Sequence, residues 1–406
     1  MQTGERQFPI SLLYAINARI GGHGLDLNAH QELKLSAGNN FLGLALAYGN
    51  RQRDIPKRLI TSLEWHPVRL LSFLSAPFYY DAKKKYVDSV AARQLGTGDY
   101  DFFHGWAGNS LRALRAANRM GIPSVLEIPT WHRDKGRVKP ADKVIPSQHE
   151  KNAKFPDSLF KGVLVTRQQS LEEYDRADLL LVKSECAART FLAAGFPEEK
   201  LFNIGGAADV KRFKPKDMSD LPAAFSAGRP FRAVFCGALI KRKGVHRLLE
   251  VWNELALPHA ELTLVGSVHN EIKPFLEKYG NATVKVPGFS DNVPELLRQS
   301  DAHLFPSECE GSAKTVLEAC AAGLAQVTTA ESGDAVQDDL NGIIVPCDDS
   351  QALATAIRRL YNSPELIRRY GQAARIRAES ELTWDDLRAR LADAYTEAMR
   401  LRKPAR

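Results

Sequence analysis

Cysteine is scarce in this sequence, and long hydrophobic runs are lacking. The five cysteines among 406 residues are scattered, odd in number and never arranged as Cys-x-x-Cys: Cys186, Cys236, Cys309, Cys320 and Cys347. That spacing fits neither a disulfide framework nor a zinc site. The most apolar stretches, residues 41–47 and 70–78, are far shorter than the roughly 20 residues that a membrane-spanning helix needs. These features argue against a disulfide-stabilised domain and against a membrane-spanning protein.

A signal-peptide pattern is also lacking, and charge of either sign is only mildly in excess. Residues 1–9 carry Glu5 and Arg6 instead of an apolar core, so we expect a cytoplasmic protein. The net charge is +7. This excess suits an anionic partner such as a nucleotide diphosphate or a lipid surface, and it equally suits an ordinary solvated surface. Because the cations form no recognisable motif, we expect no nucleic-acid partner.

Alternating strands and helices dominate what is present. In the C-terminal half, apolar runs typical of strands occupy residues 231–239, 261–266, 283–286, 302–306 and 326–329, with helical patterns between them. The N-terminal half repeats the theme at residues 10–16, 100–103, 124–128, 179–182 and 201–204. Strands that alternate with helices predict an α/β fold with parallel, doubly wound sheets. Ligands of such sheets bind beyond the carboxyl ends of the strands.

The length of 406 residues suits two domains. A stretch rich in proline and glycine, residues 211–230, predicts the linker, so we place one domain at residues 1–215 and a second at 216–383. Residues 384–406 form a third segment, in which Leu387, Leu391 and Tyr395 share one face of a predicted helix. That apolar face requires a partner.

The most informative motif covers residues 306–319, where a strand ends, a loop presents Glu310 and a helix begins near Ala313. The small residues Gly311 and Ser312 would let a ligand approach the N–H groups of the helix start, which attract phosphate. A carboxylate such as that of Glu318 can accept two hydrogen bonds from the diol of a ribose. Two solvated glutamates flanking an amphipathic helix are the alternative interpretation of the motif alone.

Glu310, seven intervening residues and Glu318 resemble the Glu-x7-Glu motif of the retaining glycosyltransferases of family 4, and the similarity runs from about residue 231 to 384. The resemblance implies the GT-B fold: two Rossmann-like, doubly wound parallel-sheet domains facing each other across a cleft. It implies that Glu318 binds the nucleotide ribose and that Glu310 lies beside the donor sugar. The intervening backbone would contact sugar and phosphate, and we assign this role to Gly311, Ser312, Ala313 and Thr315.

A second motif, residues 237–244, places Gly237 after a strand and then adjacent cations before a helix. Arginine and lysine are the side chains that a diphosphate needs. The motif resembles the family's Gly-Arg-Leu…Lys-Gly element, which implies that Lys243 neutralises the leaving diphosphate. Ala238 stands where the family often has arginine, so either Arg242 or Lys241 would be the second cation; we favour Arg242. A basic turn without a ligand is the alternative.

The N-terminal half resembles the family more loosely. Gly21 and Gly22 follow the first strand as in the family's glycine loop and are predicted to contact the nucleotide sugar; an ordinary turn fits equally well. Residues 101–106 resemble Asp-Val-Val-His-x-His and contain His104, with Trp106 at the second histidine position. His104 and His132 are predicted catalytic residues on the acceptor side, and packed histidines are the alternative.

Two further patterns have weaker functional interpretations. Residues 99–101 match the Asp-x-Asp motif of metal-dependent glycosyltransferases, and we interpret this match as a coincidence. The three lysines at residues 83–85 stand beside tyrosines, and either membrane docking or a solvated helix face fits them. We expect the cationic tail formed by Arg400, Arg402, Lys403 and Arg406 to stay in solvent.

The resemblance implies a retaining, metal-independent hexosyltransferase. It would move a sugar from a nucleotide-diphosphate sugar to a glycan, lipid-linked or small-molecule acceptor in glycan, polysaccharide or glycolipid synthesis. No cofactor is expected, and contact with the inner face of the membrane is an option. The helix of residues 384–406 would return to the N-terminal domain, as in the family. The alternatives are a degenerate nucleotide-sugar-binding subunit, which Ala238 and Trp106 keep open, and a GT-B epimerase.

Overall fold

The computed structural model describes residues 9–22, 24–134 and 155–402. The chain divides into two compact units. Unit 1 comprises residues 1–182, 190–204 and 388–406, and unit 2 comprises residues 183–189 and 205–387. None of the described helices is both long enough and apolar enough to cross a membrane.

Unit 1 contains a seven-stranded sheet in the order β3-β2-β1-β4-β5-β6-β7. Its strands are β1 Leu12–Ile20, β2 Leu42–Asn50, β3 Ile60–Ser62, β4 Phe102–Trp106, β5 Ser124–Glu127, β6 Leu179–Val182 and β7 Leu201–Asn203. Every neighbouring pair is parallel. All carboxyl ends of these strands therefore meet at one edge of the sheet, where the predicted glycine loop follows β1.

Helices connect the strands of unit 1: α1 Leu25–Gly38, α2 Ala76–Thr97, α3 Leu111–Met120, α4 Phe155–Leu159, α5 Arg167–Arg176 and α6 Glu185–Leu192, whose first residues belong to unit 2. The core is built from the apolar runs that the sequence displays, and β4 and β6 are buried along their whole length. Burial on both faces is what crossover helices impose on a parallel sheet.

Unit 2 contains a six-stranded sheet in the order β10-β9-β8-β11-β12-β13. Its strands are β8 Phe231–Cys236, β9 Ala260–Val265, β10 Val284–Gly288, β11 Ala302–Phe305, β12 Ala325–Thr328 and β13 Ile343–Ile344, again all parallel. Its helices are α7 Val245–Leu255, α8 Lys273–Tyr279, α9 Val293–Arg298, α10 Lys314–Ala321, α11 Ser350–Tyr361 and α12 Pro364–Glu381. Both units thus have the predicted Rossmann-like, doubly wound architecture.

The final helix, α13 Trp384–Leu401, begins in unit 2 and contributes most of its length to unit 1. Leu391, Ala394 and Tyr395 are buried within the hydrophobic core of unit 1. Leu387 is also buried, and it is the last residue of unit 2. The apolar face predicted from the sequence is therefore covered along the helix.

Two sequence-based expectations differ from the structure. The second segment of unit 1 ends at Ile204 rather than near residue 215, because Ala208 and Phe213 are buried in the core of unit 2. Arg402 does not extend into solvent, since it pairs with Asp178 at 2.9 Å and its side chain is mostly covered. Arg400 is exposed and pairs with Glu397, while Lys403 and Arg406 lie outside the described residues.

Candidate functional site

The two strongest motifs meet at the carboxyl edge of the sheet in unit 2. β8 and β11 are adjacent strands, so the segments that follow them, residues 237–244 and 306–313, lie side by side. The backbone N–H of Glu308 donates to the carbonyl of Arg242 at 2.9 Å, and the Ser307 hydroxyl donates to the same oxygen at 3.2 Å. These bonds hold the basic turn against the loop that carries Glu310.

The Glu310 carboxylate lies between the two predicted diphosphate-binding cations. Its Oε1 is 3.0 Å from Lys243 Nζ and 3.1 Å from Arg242 Nη1. The Ser307 hydroxyl is 3.3 Å from the same oxygen and shares its one proton between it and the Arg242 carbonyl. Lys241 instead places its ammonium over the Phe275 ring, 5.1 Å from the centroid. Of the two alternatives left by Ala238, Arg242 therefore lies beside Lys243 at Glu310 and Lys241 does not.

Glycines permit the close approach of these segments. Gly244 has φ 72°, and a Cβ there would lie 2.0 Å from the carbonyl oxygen of Pro306. Gly237 has φ 144°, and its missing side chain faces Lys243, whose Nζ would lie 3.5 Å from a Cβ. Any other residue at Gly244 would push the basic turn away from the loop, so this glycine sets the distance between Lys243 and Glu310.

Helix α10 presents its N-terminus to the same site. No side chain caps it, so its first N–H groups are open to a ligand, as phosphate binding requires. The N–H groups of Glu310 and Ala313 donate to the carbonyls of Glu331 and Ser332, at 2.9 and 2.8 Å. Ala313 therefore fixes the loop and has no N–H to spare for the donor, in contrast to the contact predicted for it.

Glu318 lies one turn into α10 in a different electrostatic setting. Burial raises the pKa of its carboxyl, and the charges of Lys314 and Arg212 partly oppose this. Lys314 Nζ is 3.6 Å from Glu318 Oε1. A carboxylate that is largely buried yet reachable, beside an uncapped helix start, is suited to accept hydrogen bonds from a ligand's hydroxyl groups.

His303, which was not among the predicted site residues, lies beneath this helix on β11. Its Nε2 is 3.1 Å from the Thr315 hydroxyl, and its Nδ1 is 2.9 Å from Gln326 Oε1. Burial lowers the pKa of His303 to about 4. A neutral, doubly hydrogen-bonded histidine orients Thr315, one of the predicted contact residues. A histidine within a buried strand is the only signal the sequence offered for it.

In unit 1, the predicted glycine loop follows β1 as expected. Gly21 has φ 86°, and a Cβ there would lie 2.7 Å from the backbone nitrogen of Gln52. A Cβ on Gly22 would lie 2.4 Å from Asp26 Oδ2. Both glycines are thus needed to fold the loop, and their contact with a nucleotide sugar stays a prediction.

The structure places His104 and His132 within the core of unit 1. His104 is fully buried, with Nδ1 2.8 Å from the Tyr395 hydroxyl and Nε2 3.1 Å from Glu127. His132 packs among aromatic rings, including Phe191 at 5.0 Å between centroids. These positions match the packing alternative, and the burial of both rings gives no support to the catalytic roles predicted from the resemblance.

The Asp-x-Asp match has a structural explanation. The two carboxylate oxygens of Asp101 accept the backbone N–H groups of Ile10 and Ser11, at 2.8 and 2.7 Å. Asp101 therefore fixes the start of β1. Elsewhere in the described residues, Glu32, His104 and Glu127 could together hold a metal ion, since their ligand atoms lie within 4.8 Å of one another. All three are buried in unit 1 and already engaged, Glu32 with the Tyr14 hydroxyl at 2.8 Å.

Part of the sequence, including the residues of the site in unit 2, is similar to known glycosyltransferases. Residues 221–377 match the family model "Glycosyl transferases group 1". The chain is 30% identical over 178 residues to the putative glycosyltransferase EpsD of Bacillus subtilis, covering 42% of this chain and 46% of that protein. It is 25% identical over 247 residues to the amylovoran biosynthesis glycosyltransferase AmsK of Erwinia amylovora, covering 55% and 59%. The chain spans about half the length of these curated relatives.

The similarity of fold extends over nearly the whole chain. HepE of Anabaena, solved in complex with UDP-glucose, superposes with a TM-score of 0.63 at 18% identity, over 95% of this chain and 98% of that one. At such identity the likeness concerns the fold alone. Residues 221–377 thus match the glycosyl transferases group 1 family, and the chain has the fold of GT-B glycosyltransferases.

Proposed function

We propose that this protein is a retaining, metal-independent glycosyltransferase that uses a nucleotide-diphosphate sugar in glycan, polysaccharide or glycolipid synthesis. The observation that carries the proposal is the arrangement in unit 2, where Lys243 and Arg242 converge on Glu310 beside the uncapped start of α10. The family match of residues 221–377 and the UDP-glucose complex of HepE, which is similar in fold, support it.

Each residue of the arrangement has a proposed part. Lys243 and Arg242 would exchange part of their pairing with Glu310 for the donor diphosphate, whose charge grows as the glycosidic bond breaks. Cations placed in advance where negative charge develops stabilise the transition state. The N-terminus of α10 would add partial positive charge to the same phosphates. Glu310, partly released, would orient the donor sugar, and Glu318 would hold the ribose.

No metal is needed in this proposal because the chain supplies positive charge of its own. Two cations and a helix N-terminus face the position we assign to the diphosphate. Asp101 of the Asp-x-Asp motif, which would hold a divalent cation in other glycosyltransferases, bonds instead to the backbone that leads into β1. We propose Arg242 as the second cation that Ala238 left in question, and its place beside Lys243 at Glu310 supports an active enzyme over a degenerate binding subunit.

A two-step experiment tests the proposal. Calorimetric titration with UDP, GDP and ADP identifies the base of the donor. We expect the protein to bind one of the three nucleotides more tightly than the other two. The matching α-linked nucleotide sugar is then incubated with the protein and without an acceptor, and the anomer released by slow hydrolysis is recorded by NMR. Release of the α-anomer supports retention. Release of the β-anomer, or no binding of any nucleotide, would overturn the proposal.

We also propose a peripheral contact with an anionic membrane. Residues 51–86 carry eight cations and three anions, a net charge of +5. Within this stretch Trp65, Leu70 and Phe73 are 86%, 81% and 61% exposed, and the Arg69 guanidinium lies 4.4 Å from the centre of the Trp65 ring. Exposed aromatic and aliphatic side chains among cations are the composition that binds anionic bilayers.

Vesicle co-sedimentation tests this contact. The parent protein should bind vesicles of phosphatidylcholine with phosphatidylglycerol more than vesicles of phosphatidylcholine alone. The double variant Trp65→Ala with Leu70→Ala should lose most of this binding. Ile376→Ala, which removes an exposed apolar side chain in unit 2, serves as the matched control. Equal binding by the parent and the double variant would exclude these side chains from the contact.

A further inference from the structure

A second cluster of charged and aromatic side chains lies at the carboxyl edge of the sheet in unit 1. Arg19 and Tyr48 lie near the carboxyl ends of β1 and β2. The two strands are neighbours there, with Arg19 of β1 opposite Gly49 of β2. His66 follows β3, and Lys83 comes from α2. We call Arg19, Tyr48, His66 and Lys83 the Tyr48 cluster. Its position is the one at which parallel sheets bind their ligands.

Two cations of the cluster face the same ring. Lys83 Nζ is 4.3 Å from the centroid of Tyr48, and the guanidinium carbon of Arg19 is 5.3 Å from it. Burial and the charge of Arg19 lower the pKa of Lys83. Arg19 pairs with Glu64 at 3.2 Å, whereas Lys83 pairs with no carboxylate among the described residues. The cluster therefore holds two partly desolvated positive charges, and only that of Arg19 is paired with a carboxylate among the described residues.

His66 supplies an independent observation. It is 5% exposed, and neither ring nitrogen has a hydrogen-bond partner in the part of the chain that the structure describes. Its ring lies 5.8 Å from the ring of Tyr48 and 5.2 Å from that of Tyr86. Burial, Lys83 and Arg69 lower the pKa of His66, so the ring is neutral near pH 7 and keeps one N–H to donate.

The neighbouring polar atoms show the same pattern. Arg19 Nε, Asn50 Oδ1 and both amide atoms of Asn17 are buried without a hydrogen-bond partner among the described residues. Buried polar groups in folded proteins are nearly always hydrogen-bonded. Several such atoms at the ligand-binding edge of a sheet, beside two cations, indicate a polar ligand that carries negative charge.

We propose that the Tyr48 cluster binds a phosphate group of the acceptor, with Lys83 and Arg19 as the charge partners and His66 as a hydrogen-bond donor. This inference rests on the proposed function and adds the chemical class of the acceptor. A phosphate offers several acceptor oxygens and enough charge to offset both cations. The donor diphosphate is assigned elsewhere, because unit 2 carries its own two cations at Glu310. The phosphate can belong to a lipid or to a soluble sugar phosphate.

Calorimetry of the full-length chain tests the proposal with glucose 1-phosphate and with phosphatidylcholine vesicles that contain phosphatidic acid. Binding of at least one probe is expected. Lys83→Gln and Arg19→Gln should each weaken it at least tenfold, and Lys83→Arg should restore most of the loss caused by Lys83→Gln. Arg119→Gln, which removes one charge from an exposed position in the last turn of α3 and outside residues 51–86, should bind as the parent does. Melting temperatures within a few degrees of the parent confirm that the variants fold.

The two probes distinguish the sources of the phosphate. Selective loss of vesicle binding in Lys83→Gln assigns a lipid-borne phosphate, and selective loss of glucose 1-phosphate binding assigns a soluble one. Binding of neither probe by the parent, or equal binding by the parent and both cluster variants, would refute the proposal. A lower affinity for UDP in Lys83→Gln would assign the cluster to the donor site, and this result would also refute the proposal. If the parent binds a phosphate probe but no nucleotide, the result contradicts the proposed function and not the phosphate site.

Discussion

At the scale of single residues, Glu310 and Glu318 are held in opposite electrostatic environments. Two cations and a hydroxyl surround the carboxylate of Glu310. Burial raises the pKa of Glu318, and its nearest cation, Lys314, is 3.6 Å away. We therefore expect replacement of the two glutamates to have different effects on ligand binding and on turnover.

We predict that Glu318→Ala weakens binding of the free nucleoside diphosphate more than Glu310→Ala does, by about 1.5–3 kcal/mol, because a bond to a charged group is lost. Glu310→Ala should mainly lower turnover, since its carboxylate orients the sugar. Calorimetry measures the affinities, and release of the nucleoside diphosphate from the nucleotide sugar that calorimetry selects measures turnover. Glu365→Ala, at a largely exposed glutamate of α12, is the control. Equal nucleotide affinity in both variants and the parent would contradict the ribose assignment.

His303 gives a pH-dependent prediction. Burial lowers its pKa to about 4 in the folded protein, below the roughly 6.5 of an unfolded histidine. The unfolded chain therefore binds more protons between these values, so His303 makes stability fall as the pH drops from about 6.5 to 4. The contribution is at most about 3 kcal/mol.

Melting temperatures recorded across this pH range check the prediction. His303→Asn should flatten the decline between pH 6.5 and 4, although it lowers stability at pH 7 by removing a hydrogen bond. His259→Asn is the matched control, because His259 is exposed and its φ of 51° is one that asparagine tolerates. A decline of the same slope in parent and His303→Asn would show that His303 does not titrate in this way.

At the scale of elements, α13 stabilises unit 1 through the side chains that it buries in the core. Leu391 is fully buried in the core of unit 1, and Tyr395, also fully buried, reaches Nδ1 of His104. Burial raises the pKa of Tyr395, so its hydroxyl keeps its proton at any ordinary pH. The helix is therefore an integral part of the unit 1 core rather than an appendage.

Leu391→Ala should destabilise unit 1 by about 2–5 kcal/mol, the usual cost of such a truncation in a core. Deletion of the chain after residue 383 should be more severe. Urea unfolding combined with limited proteolysis checks both, and the first cleavages in the variants should fall in unit 1. Ile376→Ala, at an exposed position of α12, should leave stability within about 0.5 kcal/mol of the parent. Loss of unit 2 before unit 1 in Leu391→Ala would contradict this assignment of the helix.

The sequence predicted the elements of unit 2 well and those of unit 1 less completely. β8, β9 and β11 were recognised because their apolar runs end at a turn residue and a clear helical pattern follows. β2 was missed, since its leucines, alanines and glycines have weak strand preference. It pairs with β1 on one side and with β3 on the other, so tertiary context decides its conformation.

The candidate site was likewise predicted better in unit 2 than in unit 1. Glu310, Arg242 and Lys243 were predicted to serve one ligand, and the structure brings them together, because adjacent parallel strands deliver their loops to one edge. His104 and His132 were predicted to follow strands, whereas His104 lies in the middle of β4. The burial of both rings depends on residues distant in the chain, such as Tyr395 and Phe191. The Tyr48 cluster was invisible for the same reason, since its members come from four separate elements.

At the scale of the whole molecule, the charges of the chain are predicted to replace a metal. Exhaustive treatment with EDTA should leave the release of nucleoside diphosphate, from the nucleotide sugar that calorimetry selects, within about twofold of that of the untreated protein. The physical reason is that Arg242, Lys243 and the start of α10 supply the positive charge. Complete loss of activity that magnesium or manganese restores would establish metal dependence. Loss that only zinc restores would point to Glu32, His104 and Glu127.

The order in which the chain is synthesised has a consequence for unit 1. Its core requires residues 388–401, yet the ribosome makes all of residues 205–387 between them and the rest of the unit. At about 5–20 residues per second, that interval lasts roughly 10–40 s. When that interval ends, the whole of unit 2 has been made, while the nascent sheet of unit 1 still lacks Tyr395, whose ring packs against Phe41 and Phe102. Unit 1 is thus the second of the two units to receive all the residues of its core.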